Sequence, residues 1–456
     1  MANDESAAGW IQATLGDFVA TRTRGIVPNK TPDTTFELYS VPSLDTGAPE
    51  IVTGSEVGSN KQIVDEGTVL LCKINPRINR TWVVSSQTPN QKIASTEWIT
   101  FPPNESFEPK YLAYYLKQDT VRDFLAANAS GVGGSLMRVK PTTLKDYPFP
   151  LAPLDQQKRI VAEIEKQFSR LDEAVSNLKR VKANLKRYKA AVLKAAVEGR
   201  LVETEAELAR REGRSYETGA QLLQRILESR RSQWQGKGKY KEPTAPDTTS
   251  LPELPEGWVW ATTEQLGQIQ LGRQRSPKNR SKDNPVKYIR AANITERGLE
   301  LKDVLDMEFS SDEQERYRLR RGDLVLSEAS GSPDQVGKPA VWQDQLSLCC
   351  FQNTVIRLRP AVEMSAYLLL CFQSYYVNGV FAKVAGGVGI NHLSADKFSR
   401  LHISLPPEVE QHRIVAEVDR RLSLLRETEA QVDVNLQRAE RLRQSILSRA
   451  FAGSLV

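Results

Sequence analysis

Residues 157–168 read QKRIVAEIEKQF and residues 411–422 read QHRIVAEVDRRL, with six of the twelve positions identical at an offset of 254. The comparison extends at that offset without a gap. Pro153 falls on Pro407, Arg159 on Arg413, Glu163 on Glu417, Leu171 on Leu425, Gly199 on Gly453, Leu201 on Leu455 and Val202 on Val456. Each copy follows a proline-bearing segment, FPLAPLDQQ or ISLPPEVEQ, runs on without Pro or Gly, and stops at EGRLV or AGSLV. Proline before and glycine after are helix boundary signals. A chain that states one long helix twice is built as two related halves.

Inside the copies the apolar residues form one stripe each. The first carries Ile164, Phe168, Leu171, Val175, Leu178, Leu185 and Val192; the second carries Val418, Leu422, Leu425, Val432, Leu436, Leu442 and Ile446. This is a 3.5-residue seam with charges between, the pattern of a coiled coil. About 42 helical residues at 1.5 Å each predict a rod of roughly 60 Å. Each rod could instead lie as an amphipathic helix on its own domain. Their ungapped equality in length favours pairing with each other.

The repeat also covers the segments before the rods. Gly9-Trp10-Ile11 and Leu15-Gly16 are echoed by Gly257-Trp258-Val259 and Leu266-Gly267. GTVLLCK (67–73) is echoed by GDLVLSE (322–328), a turn glycine leading into a strand. KYLAYYL (110–116) corresponds to AYLLLCF (366–372) as a short buried helix, and the glycine clusters SGVGGS (130–135) and AGGVG (385–389) each precede the strand that enters a rod. The predicted architecture is α+β: two mixed α/β domains, 1–153 and 257–407, and two long antiparallel coiled-coil helices, 154–202 and 408–456, in a pseudo-twofold repeat. Residues 203–256 connect the halves through an amphipathic helix, TGAQLLQRILESRR, and a Pro-rich linker, KGKYKEPTAPDTTSLPELPEGW.

Bulk properties narrow the function. At 456 residues the chain exceeds one ordinary domain, and 40% hydrophobic with 26% charged residues suits packed cores. Residues 151–250 hold 21 Lys and Arg against 14 Asp and Glu, a net of +7, whereas residues 1–150 hold 14 against 16, a net of −2. The basic excess therefore sits on the middle helical stretch. Cys72, Cys349, Cys350 and Cys371 show no CxxC spacing, so free thiols of a reducing compartment are expected and a metal site is not. The N-terminus MANDESAAGW is unlike a targeting peptide, and no apolar run reaches membrane-spanning length. A cytoplasmic protein without a membrane partner is expected.

Together, LPELPEGWVWATTEQLG, YIRAANIT (288–295), GDLVLSEASGSPDQVGKPAVW (322–342) and the rod starts, proline–QQ–RIVAE in the first and proline–EQ–RIVAE in the second, resemble the specificity subunit of type I restriction–modification systems. The resemblance covers essentially the whole chain and its domain order. It implies that the mixed domains are target-recognition domains and that the rods are the conserved helical regions holding them apart. The implied partners are double-stranded DNA, two methyltransferase subunits and restriction subunits. S-adenosylmethionine is then implied for the methyltransferase, ATP and Mg for the restriction subunit, and no cofactor for this chain. Copy two reaches Val456 six residues after Ala450, whereas copy one continues into the connector. Family members often carry a tail there, and its contact is expected to be missing here.

If the rods pack antiparallel, each recognition domain feeds the start of its own rod and the two fall at opposite ends. Symmetric readers of duplex DNA face half-sites about one helical turn, roughly 34 Å, apart. Because the two domains differ in sequence, the target is expected to be bipartite and asymmetric, with an unread spacer. Base edges call for Arg or Lys at guanine and Asn or Gln at adenine. The candidates in the first domain are Arg22, Arg24 and Lys30 in RTRGIVPNK, and Lys73, Asn75, Arg77, Asn79 and Arg80 in KINPRINR. Those in the second are Arg273, Arg275, Lys278 and Arg280 in LGRQRSPKNRSK, then Arg290 and Asn293, and Ser330, Ser332 and Lys338 in SEASGSPDQVGK. Each is also an ordinary solvated side chain when taken alone. His392, beside Asn391 after the second glycine cluster, could touch a base or phosphate, but ranks below them because a lone histidine is more often structural.

Other classes fit less well. INPRI is not the Asn/Asp-Pro-Pro-aromatic motif of an adenine methyltransferase, and neither glycine cluster has the lysine–serine ending of a phosphate loop. No Glu-x-Lys follows Pro333-Asp334 at nuclease spacing, and three His lack zinc-ligand spacing. No catalytic residue is expected. A pure coiled-coil scaffold would explain the rods but leave the mixed domains without a task; a scaffold or a DNA-binding protein outside restriction–modification stands as the alternative.

Overall fold

The repeated helical phrase folds as two unbroken α-helices of 44 residues, Leu154–Val197 and Glu408–Phe451. The structure is a computed structural model and describes residues 9–131, 137–236, 238–274, 285–330, 332, 335–386 and 391–456. Both helices begin alike, with the Gln157 amide donating to the Pro153 carbonyl (2.9 Å) and the Gln411 amide to Pro407 (3.0 Å). They also end alike. Gly199 (φ 68°) and Gly453 (φ 73°) take the left-handed conformation, letting the Arg200 amide reach the Ala195 carbonyl and the Ser454 amide the Arg449 carbonyl, each at 2.9 Å. A side chain at Gly199 would also press on Pro255, whose Cγ lies 2.5 Å from the place a Cβ would take.

The chain divides into two units. Unit 1 holds residues 1–180 and 432–456, and unit 2 holds residues 181–431. Unit 1 therefore joins the start of the first long helix to the end of the second, while unit 2 joins the end of the first to the start of the second. That is the pairing of antiparallel helices. The seam is heptad-spaced: Val418, Leu425, Val432, Ala439 and Ile446 are buried at every seventh position of the second helix. Their counterparts at the 254 offset are Ile164, Leu171, Leu178, Leu185 and Val192. Leu442, expected on this stripe, is exposed, because the stripe passes through Ala439 instead.

Each mixed domain is tied to its helix by the same frame. In unit 1 the strand Ile11–Thr14 pairs antiparallel with Pro148–Leu151, Ile11 opposite Leu151; in unit 2 Val259–Thr262 pairs with His402–Leu405, Val259 opposite Leu405. The Trp10 indole donates to Gln156 Oε1 (3.0 Å), and the Trp258 indole donates to Glu410 Oε1 (2.9 Å). Gln157 Nε2 caps the Ala152 carbonyl (2.7 Å) as Gln411 Nε2 caps Pro406 (3.1 Å). The buried helices Pro109–Leu116 and Ser365–Val377 repeat the theme, with the Tyr111 hydroxyl on the Pro150 carbonyl (2.8 Å) and the Tyr367 hydroxyl on Ser404 (2.7 Å).

Beyond the frame the domains diverge. Unit 1 carries a five-stranded sheet in the order Arg24–Ile26, Lys61–Ile63, Gln91–Ser95, Thr35–Tyr39, Glu50–Thr53, and a three-stranded sheet with Val69–Cys72 at its centre. Unit 2 carries a four-stranded sheet in the order Gly267–Leu271, Val355–Pro360, Leu324–Ser327, Pro339–Val341, and a three-stranded one with Pro285–Ile289 at its centre. The cores include the long helices: Ile160, Ile164, Leu447 and Phe451 in unit 1, and Leu193, Ala196, Ile414 and Val418 in unit 2. All four cysteines are buried and free.

The connector holds two helices, not one. Gly219–Ser232 is the expected amphipathic one, burying Leu222 and Ile226. Glu205–Glu212 precedes it, started by a capping box in which Thr204 and Glu207 exchange hydrogen bonds. Glu205 is almost fully buried, held by Arg413 (2.6 Å) and Arg214 (2.5 Å). Burial alone would raise its carboxyl; the two guanidiniums outweigh it and hold the group below the usual carboxylate range. A lowered folded value gives stability that is present above the unfolded carboxylate range and lost as pH falls through the folded value. Glu205→Gln is therefore expected to destabilise unit 2 at neutral pH. Denaturant titrations across pH should show that deficit shrinking as pH falls below about 4.5, and a deficit that grew instead would contradict the assignment.

Candidate nucleic-acid interface

The loops between strands were the sequence's candidates, and the structure sorts their polar side chains into those that hold the loop and those that it presents. In unit 1 the KINPRINR loop joins Val69–Cys72 to Thr81–Val83 around a turn, Pro76–Ile78, whose proline is buried. Asn75 and Asn79 flank the turn with φ 49° each, a left-handed conformation that asparagine tolerates better than most residues. Asn79 Nδ2 donates to the Leu116 carbonyl (2.8 Å), and its Oδ1 is buried. Asn79 is thus a fastener, and its assignment to base reading is corrected. Arg77 and Ile78 stand exposed at the tip, with Lys73, Asn75 and Arg80 half-buried behind them.

That tip opens on a cleft of about 690 Å³ whose lining includes Arg77, Lys117, Arg122, Phe168, Asp172 and Arg443. Arg443 is paired with Asp172 and lies 4.4 Å over the Phe168 ring, so this basic residue of the second helix packs on the first. On the other candidate loop Arg22 and Lys30 are exposed, and Arg24 pairs with Asp65 at 2.5 Å across two well-exposed side chains. An exposed pair of this kind is worth little and is readily exchanged for another anion.

Unit 2 requires more corrections. Arg273 is largely buried, bonded to Glu313 (2.7 Å) and the Glu308 carbonyl and stacked 4.9 Å from the Phe309 ring. Arg290 is tied to Asp303, and its Nε is buried. Asn293 is buried and closes a turn, accepting from the Arg290 amide (3.0 Å) and donating to the Glu300 (3.0 Å) and Asp303 (2.9 Å) carbonyls. Arg273 and Asn293 hold loops in shape, and Arg290 is held by an exposed Asp303 while part of its own side chain stays exposed. Ser332 is exposed and Lys338 half-buried, the latter's amide bound to Ser327 Oγ (3.0 Å). Arg275, Lys278, Arg280 and the Ser330 side chain lie outside the described residues.

The sequence did not reveal that each candidate loop is joined to the segment following its glycine cluster. In unit 1 the Asn75 amide donates to the Met137 carbonyl (2.8 Å) and the Val139 amide to Lys73 (2.9 Å), while Ser130 and Arg138 exchange two bonds of 2.9 Å. In unit 2 Ala329–Ser330 pairs antiparallel with Asn391–His392, the Leu393 amide donates to Glu328 (2.8 Å), and Gly386 exchanges two bonds with His392. Both domains therefore build one short three-stranded ribbon, centred on residues 254 apart. No group of three or more His, Cys, Asp or Glu placed to hold a metal is found among the described residues, nor any helix long and apolar enough to cross a membrane.

The pattern of the family described as Type I restriction modification DNA specificity domain matches residues 8–187 and 255–433. The chain is 22% identical over 348 residues to the Type I restriction enzyme EcoKI specificity subunit of Escherichia coli strain K12, covering 76% of this chain and 65% of that protein. It is 24% identical over 361 residues to the StySPI specificity subunit of Salmonella potsdam, covering 77% and 67%. The chain spans about two thirds of the length of these relatives. A solved chain from work on complex assembly and conformational transition of the type I R-M system superposes with a TM-score of 0.72 at 20% identity, covering 98% of each chain. The HsdS subunit from Thermoanaerobacter tengcongensis superposes with a TM-score of 0.53 at 20% identity, covering 98% of this chain and 97% of that one. At such identities the likeness is one of fold.

Asn79→Ala is expected to cost unit 1 about 1–3 kcal/mol, the penalty for leaving buried polar groups unpaired. Arg77→Ala should stay within about 0.5 kcal/mol of the parent. Thermal unfolding of the two variants separates fastener from presented side chain, and equal stabilities would return Asn79 to the presented set.

Proposed function

We propose, from the premise that this chain belongs to the type I restriction modification DNA specificity family, that it is the subunit that reads DNA sequence for a type I restriction–modification complex. One observation carries the reading: a single hydrogen-bonded frame is built twice, and the loops and sheets it supports differ between the two. Equal frames present two readers in equivalent ways, and different loops give them different sequences to read. The target is accordingly bipartite and asymmetric, with an unread spacer between its halves. Phosphate contacts set register and base-edge contacts set sequence. Arg22, Lys30 and Arg77 in unit 1 and Lys338 in unit 2 are the candidates that remain for both, with Ser332 exposed beside Lys338.

The chain is read as non-catalytic and works in the cytoplasm. Methyl transfer belongs to two methyltransferase subunits that bring S-adenosylmethionine, and cleavage to restriction subunits that bring ATP and Mg. The long helices offer those partners a surface. In unit 2 Val181, Tyr188 and Leu424 are exposed off the seam, the last two beside a cleft of about 470 Å³ with Arg420 and Arg421. In unit 1 Val434 and Leu442 are exposed in the same way. Apolar side chains set among charges on a helix suit docking of another helix.

Replacing residues 1–153 by the corresponding domain of another family member, in the assembled complex, is expected to change one half of the methylated target and leave the other half intact. A change in both halves, read by mapping methylated bases, would break the one-domain-one-half assignment.

A further inference from the structure

Arg138 and His392 are 254 residues apart, the offset of the whole repeat, and each is the central residue of its ribbon. Arg138 bridges to Ile74 on one side and Ser130 on the other; His392 bridges to Ala329 and to Gly386. The backbone amides around them are paired, so the fold at these positions is set by the main chain and demands no particular side chain. Neither residue is core: their side chains are 47% and 49% exposed. Each is nonetheless held. Arg138 Nε and Nη2 donate to the two carboxylate oxygens of Glu97 at 3.1 and 3.2 Å, and His392 Nδ1 lies 3.0 Å from Glu328 Oε1. Glu97 and Glu328 come from the strand ends that launch or flank the candidate loops; the Glu97 carbonyl accepts from the Lys73 amide (2.9 Å).

We propose that Arg138 and His392 are further specificity-determining residues, one for each half-target, each presented to a base edge by its ribbon and pre-oriented by its carboxylate. The inference rests on the DNA-reading function proposed above. With Nε–H and one Nη2–H on Glu97, Arg138 keeps its Nη1 hydrogens and the other Nη2 hydrogen as a second fork of the kind that grips guanine O6 and N7. The glutamate fixes the fork before DNA arrives, which reduces the ordering cost of the contact. An imidazole in the same place offers fewer donors and a different reach. A frame held constant while its central side chain changes from Arg to His is what two readers of different half-sites require. If the position served only stability, an exposed contact with a carboxylate, worth little, would have no reason to recur there on glutamates drawn from non-equivalent positions, Glu97 and Glu328.

The test is selection of bound duplexes from a random pool by the full chain assembled with its methyltransferase subunits, for the parent, Arg138→Ala, Arg138→Lys and His392→Ala. Arg138→Ala is expected to lower discrimination by about tenfold or more at one base position of one half-target, from the cost of a good bidentate contact, with the other half unchanged. Arg138→Lys should retain part of that preference. His392→Ala should relax the other half alone. Variants that select the parent's motif with the parent's discrimination would overturn the inference while leaving the DNA-reading function intact. A uniform loss over both halves in both Arg138 variants would also overturn it, since that marks a structural role. A parent complex that selects no motif would remove the DNA-reading function itself, and with it this assignment.

Discussion

The burial of each helix end inside a mixed domain is the constraint from which the rest follows. Ile160 and Ile164 at the start of one helix, with Leu447 and Phe451 at the end of the other, are part of the unit 1 core. Leu193, Ala196, Ile414 and Val418 do the same in unit 2. A domain that shares its core with a helix cannot turn about that helix without exposing apolar surface, at about 25 cal/mol per Å². Val418, Leu425, Val432, Ala439 and Ile446 are buried at every seventh position of the second helix. The paired indoles of Trp10 and Trp258, bonded to Gln156 and Glu410, fix where along the helix each domain begins.

On that fixed base the loops face a different physical problem. A loop that must present side chains to DNA has few apolar groups with which to hold itself, so polar residues do the holding. Asn79, Asn293, Arg273 and Arg290 each satisfy backbone carbonyls or a nearby acid, and each was a plausible DNA contact by residue type alone. The same donors suit a carbonyl oxygen and a base edge, and only the fold decides which one they meet.

This explains what the sequence made legible. The two long helices could be read because their signals are local: proline before, glycine after, and apolar residues every three or four positions between. The frame could be read because Gly-Trp, the turn glycine and the proline-bearing strand recur at near-constant offset. Leu442 was misplaced because a seam carrying Ala439 offers little contrast to a stripe-finding eye. The helix Glu205–Glu212 was missed although its Thr204-x-x-Glu207 box announces it. The partners of Arg273 and Arg290 could not be read, because Glu313 lies 40 residues on in the helix Ser311–Tyr317 and Asp303 13 residues on in a turn, and neither meets its arginine until the domain folds. Each ribbon also depends on a long-range pairing, Ile74 with Arg138 and Ala329 with His392, which no local pattern marks.

We propose that this chain decides where a methyltransferase acts, through two unlike readers on one repeated frame. Mapping methylated bases across the genome of a host that carries the chain and its methyltransferase subunits, against the same host without the chain, tests it most directly. A bipartite, asymmetric motif with a fixed unread gap is expected, appearing only when the chain is present. A continuous motif, or a motif that persists without the chain, would contradict it.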